Sequence, residues 1–137
     1  MKTILPQINL VAAWAGILAG FLSGMVLGLF FHRDDWLGGY SSFKRRMYRL
    51  GHISLFGVGA MNLFFYLTAR TLSASPQLEV AGWGFISGAI TMPICCVVMA
   101  HRPQAHLVFS VPVLSLITAA VLTLLSLNSQ QSTLNFP

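Results

Sequence analysis

The sequence predicts an all-α integral membrane protein: an antiparallel bundle of four transmembrane helices with an amphipathic interfacial segment in the first loop. Three observations carry that expectation. Of 137 residues, 55% are hydrophobic and only 8% are charged, against roughly a quarter charged in a soluble domain. Four apolar stretches, at about 8–31, 50–72, 80–100 and 107–127, each come close to the ~20 residues that cross a hydrocarbon core ~30 Å thick. The segments between them are short, so consecutive helices must lie antiparallel. Such a composition excludes a cytosolic enzyme domain, a disordered tail and an ordinary secreted fold. The whole chain reads as a single membrane domain.

The first stretch follows Lys2 and superficially resembles a signal peptide. It is longer than a signal h-region of roughly 7–15 residues, and the basic loop behind it resists translocation, so it is expected to be retained as a span. Only a helix satisfies every backbone group within one apolar segment in lipid, hence helices rather than strands. Gly16, Gly20, Gly24 and Gly28 recur every four residues, with Ala12 extending the row. That spacing keeps them on one slowly drifting face. A face without side chains lets another backbone approach closely, either inside the bundle or from a neighbouring subunit. Gly84 and Gly88 repeat the pattern in the third stretch.

The first loop, about 32–49, concentrates the positive charge: Arg33, Lys44, Arg45, Arg46 and Arg49. Trp36, Tyr40, Phe43, Met47 and Leu50 alternate with those bases at spacings of three and four. The pattern predicts a surface segment lying on the headgroups, with Lys44, Arg45, Arg46 and Arg49 turned to anionic lipid. Ser41 or Ser42 is placed to cap a helix running into the second span. Beside a membrane span the positive-inside rule accounts for the basic run, so nucleic acid is not an expected partner.

In the second stretch His52, Gly59, Asn62 and Tyr66 fall at i, i+7, i+10 and i+14 and share a face. An asparagine deep in lipid needs a partner. It either makes an interhelical hydrogen bond or lines a space for a cofactor or quinone headgroup. Ser73, Ser75 and Pro76 mark the second turn and Pro103 the third. Pro93 and Pro112 are expected to kink the third and fourth helices, with Thr91, Ser110 or Ser115 meeting the freed carbonyls. Adjacent Cys95 and Cys96 form no disulfide framework and read as small packing residues. The tail 128–137 is polar and expected to fray.

Six of the eight Lys and Arg residues fall in or beside the first and third loops. The positive-inside rule therefore places those loops in the cytoplasm, both termini on the outer side, and the protein in a bacterial-type inner (cytoplasmic) membrane. Trp36, Tyr40 and Tyr48 at one face, and Tyr66 and Trp83 at the other, suit interfacial belts.

Chemistry-bearing residues are few. His32, His52, His101 and His106 all fall at helix ends on the basic face, where imidazoles could ligate a transition metal or clasp haem b. His52, most securely inside a helix, is the leading ligand candidate, and Asp34 and Asp35 lie near His32. No HxxxH or HExxH spacing supports the idea, so the histidines also read as interfacial residues without a cofactor. No Asp, Glu, Lys or Arg lies in the middle of a span, which argues against proton-coupled transport. No Ser–His–Asp set and no phosphate-binding glycine loop is present.

By subtraction, the expected role is non-catalytic: a small accessory, structural or assembly subunit packed by its glycine face against other membrane subunits. An energy-transducing complex is one conceivable host. The competing expectation is a haem- or metal-binding membrane protein, with His52 paired to His101 or His106 and with Asn62 and Arg49 at the haem edge or propionates.

Overall fold

A computed structural model describes the backbone of residues 5–134 and the side chains of 6–130. Lys2 and the last three residues of the tail lie outside the described residues. Four long helices account for the architecture: α1 (Leu5–Leu29), α2 (Phe43–Ala69), α3 (Pro76–His101) and α4 (Ser110–Leu134). Among the described residues there is no strand. Each helix is long and apolar enough to cross a membrane.

The helix boundaries follow local chemistry. Ser42 is extended, and its Oγ accepts from the Arg45 backbone N–H at 3.1 Å, which starts α2. Ser75 does the same for α3 through the Leu78 N–H at 3.3 Å, with Pro76 in the first turn and Glu79 near the positive helix end. Pro93 sits inside α3. Pro112 does not interrupt α4 as expected. The α-helix begins only at Ser110, after a 3-10 segment over Pro103–Phe109, so Pro112 occupies the first turn, where a missing N–H leaves no gap. The polar stretch from Asn128 continues α4 to Leu134.

The first loop also departs from the expected amphipathic segment. A short 3-10 turn, Trp36–Gly38, is followed by a reversal. Leu37, Gly38 and Gly39 take φ of 57°, 85° and 94°, in the left-handed region that glycine tolerates without a Cβ clash. The helical spacing of Trp36 and Tyr40 with Phe43 is therefore broken, and the loop folds back over the start of α2.

Consecutive helices pack closely, in opposite order along each pair. On α1 and α2, Asn9 meets Asn62, Gly16 meets Gly59, and Gly24 meets His52. On α2 and α3, Gly51 meets Cys96 while Phe65 meets Phe85, with ring centroids 5.2 Å apart. On α3 and α4, Gly84 faces Ser115 and Ala119 and Gly88 faces Leu116, while Cys95 lies against Val108 of the 3-10 segment before α4. A lighter contact joins α1 to α3, and among the described residues no comparable packing joins α1 to α4. The helices thus form a folded row with α2 and α3 inside and α1 and α4 as flanks. A buried cluster of Phe65, Ala69, Leu78, Ala81, Phe85 and Ala119 fills the end remote from the first loop.

Candidate functional site

Two polar constellations stand out, one towards each end of the molecule. Near the end that carries the α2–α3 turn, Asn9 and Asn62 are both fully buried. Asn9 Nδ2 donates to Asn62 Oδ1 at 2.8 Å and to the Gly82 carbonyl at 3.1 Å. Asn62 Nδ2 donates to the Val58 carbonyl at 2.9 Å and to the Phe85 carbonyl at 3.1 Å. Two amides therefore join α1, α2 and α3. Among the buried polar atoms, Asn9 Oδ1 has no partner. The stripe through His52 and Asn62 made Asn62 visible in the sequence. Asn9 was missed, although an amide four residues into an apolar helix is itself a signal for a polar partner.

The glycine row meets its own chain. A Cβ on Gly16 would lie 3.3 Å from Gly59 Cα, one on Gly20 would lie 2.8 Å from the Phe56 ring, and one on Gly24 would lie 2.7 Å from His52. Gly84 and Gly88 serve α4 in the same way. Only Gly28 has nothing within 4 Å of that position. The face expected to receive a partner is thus occupied by α2 over three of its four glycines.

At the other end the first loop closes around Arg45. The sequence grouped Arg45 with the lipid-facing bases, but its residue is only 2% exposed. Its position, seven residues before His52, puts it on the stripe of α2 that faces α1. Its guanidinium donates to the Phe31 carbonyl at 3.1 Å and the Arg33 carbonyl at 3.3 Å. It lies 5.2 to 5.7 Å from the ring centroids of Tyr40, Phe31 and Trp36, within the range of cation–π attraction. Its Nε–H is buried without a partner. Arg49 lies 4.7 Å from the Tyr40 centroid. Arg46 is exposed and Lys44 half-buried. Ser42 fastens the arrangement by donating to the Leu37 carbonyl at 2.7 Å.

Beside this box lies a cleft of about 310 Å³ between α1 and α2. Its walls are Gly24, Leu27, Gly28, Phe31, Trp36, Arg45, Arg49, His52 and Ile53. The chemistry is mixed: two guanidinium groups and an imidazole at an otherwise apolar and aromatic surface. The only ion pair among the described residues, Arg33 with Asp35 at 3.9 Å, is exposed and apart from it.

The four histidines are not drawn into one site. His52 Nδ1 is 3.0 Å from Ser23 Oγ, and that hydroxyl donates to the Gly20 carbonyl at 2.9 Å. With the serine proton so engaged, His52 Nδ1–H is the donor of the pair. His101 Nε2 instead pairs with Tyr48 Oη at 2.9 Å, on the α3 side of α2. His32 and His106 are exposed. Among the described residues no group of three or more His, Cys, Asp or Glu side chains is placed to hold a metal ion. Cys95 and Cys96 are buried; Cys96 lies against Gly51 of α2, and Cys95 Sγ lies 3.4 Å from the Val108 carbonyl of the 3-10 segment. No protein-family model, curated protein or solved structure matches this chain.

Proposed function

We propose that the chain is a four-span membrane protein, an antiparallel helical row in the bilayer, acting as a non-catalytic accessory or structural subunit of a larger membrane assembly. The observation that carries this reading is how its internal polar groups are engaged. Asn9, Asn62, Ser115, Thr91, Thr123 and Ser126 all bond to neighbouring backbone or to one another. Asn9, Asn62 and Ser115 join neighbouring helices, as polar groups in lipid commonly do, while Thr91, Thr123 and Ser126 each bond the carbonyl four residues back in their own helix. Among the described residues these groups line no catalytic or ion-conducting path.

The flanking helices support the same reading. The most apolar windows of α1 and α4 are each only 11% buried inside the chain. Val11, Trp14, Leu18, Phe21, Met25 and Leu29 project outward from α1 at spacings of three and four. With the glycine row turned inward, a protein partner would meet this ridge of large side chains. The basic first and third loops share one end, since Tyr48 bonds His101 and Cys95 reaches Val108, and the positive-inside rule would set that end in the cytoplasm of a bacterial-type membrane.

The test is isolation at native abundance in a mild detergent after brief crosslinking, followed by size analysis. A discrete assembly much larger than the chain, lost when Trp14 and Phe21 are both replaced by alanine, is the expected result. A monomer of unchanged size with and without crosslinking overturns the subunit reading.

A further inference from the structure

We propose that the α1–α2 cleft at the basic end is a binding site for one anionic phospholipid, its phosphate held by Arg45 and Arg49 and its acyl chain lying along Gly28 and Ile53. The inference rests on the reading that α1 and α2 span a bilayer, which would bring this end to the headgroup layer.

Charge is the first argument. Arg45 is buried to 98%, yet among the described residues no carboxylate pairs with it. Two carbonyls and three ring faces solvate the cation without neutralising it, and its Nε–H has no acceptor. A buried charge lacking a counter-ion is unfavourable unless an anion completes the site. Arg45 and Arg49 both line the same cleft, and guanidinium groups match phosphate oxygens with paired donors.

Shape is the second argument. Below the guanidinium groups the walls become Leu27, Ile53 and two glycines. Gly28 alone of the glycine row meets nothing where a Cβ would stand, so the surface of α1 is uncovered there and forms an open wall of the cleft. Ile53 and Leu29 beside it are largely exposed, so the cleft opens sideways, towards lipid rather than only towards water. A cationic head above an apolar slot fits an amphiphile better than a free anion.

The full-length chain carrying Trp14→Phe and Trp83→Phe leaves Trp36, in the cleft wall, as the fluorescent reporter. It would be reconstituted in phosphatidylcholine nanodiscs and titrated with phosphatidylglycerol, while native mass spectrometry counts retained lipid. One phosphatidylglycerol per chain, saturating the Trp36 signal, is expected. Arg49→Gln should weaken it by roughly tenfold or more, since a hydrogen bond to a charged group carries about that factor, and Gly28→Leu, whose side chain would fill the slot, should weaken it as well. Arg46→Gln, which removes equal charge from an exposed position, should change it less than about twofold. Arg45→Gln is not the primary probe, because Arg45 also fastens the loop.

Equal losses for Arg46→Gln and Arg49→Gln would reduce the effect to diffuse surface charge and overturn the site. Displacement of the lipid by inorganic phosphate or an acidic peptide at matching concentration would overturn its assignment to a phospholipid. A chain that inserts into phosphatidylcholine discs but shows no selective phosphatidylglycerol site refutes this inference while leaving the membrane reading intact. A chain that fails to insert refutes both.

Discussion

Asn9 and Asn62 are coupled by one hydrogen bond, donated by Asn9, and the physics of a buried amide decides what its loss does. Removing Asn9 leaves Asn62 Oδ1 without its donor and removing Asn62 leaves Asn9 with the Gly82 carbonyl alone, whereas removing both takes away the buried amide atoms themselves. We expect Asn9→Leu and Asn62→Leu each to destabilise the fold by about 1–2 kcal/mol, within the span of interhelical hydrogen bonds and stranded polar groups. The double variant should lose less than the sum. Unfolding in mixed micelles titrated with dodecyl sulfate measures this, and strict additivity would argue against direct coupling. Ser42 is a second informative position. It both caps α2 and holds the Leu37 carbonyl, so Ser42→Ala should cost about 1 kcal/mol and increase protease access to the first loop.

At the scale of elements, the four apolar stretches were legible because their length and composition have few other solutions in water or lipid. Helix starts were legible where a cap is local, as at Ser42 and Ser75. What periodicity could not reveal is which neighbour each face meets. The glycine row looked uniform along the first span, yet Gly16, Gly20 and Gly24 lie against α2 while Gly28 is open. Whether a neighbouring helix covers a given position is a property of the pair. Gly16→Leu is therefore expected to disrupt the fold, since its side chain would press on the Leu55 carbonyl and Gly59 backbone, which cannot move aside as a flexible side chain does. Gly28→Leu should fold normally. Thermal melts in one detergent separate the two, and equal losses would show that Gly28 is as closely covered as Gly16.

For the molecule as a whole, the arrangement puts the first and third turns at one end and the second at the other. If the protein spans a membrane, a cysteine at Ser41 and one at Ser73, both exposed positions, should be labelled from opposite sides by an impermeant maleimide. The native Cys95 and Cys96 are buried and should contribute little background. Labelling of both from one side would dismantle the four-span reading. The outward ridge of α1 and the exposed length of α4 follow from the same row-like packing, because each flanking helix has chiefly one neighbour within the chain.

The amino-acid sequence alone determined the number and kind of helices, the asymmetry of basic charge and the need for a buried asparagine to find a partner. Each of these depends on composition or spacing within one segment. The tertiary structure decided that Asn9 is that partner, that the glycine face is used internally, that the histidines have separate neighbours and that Arg45 turns inward beneath Phe31, Trp36 and Tyr40. Those outcomes depend on the register between helices and on a loop reversal at Leu37–Gly39. Distances between residues far apart in the chain are set only when the helices pack.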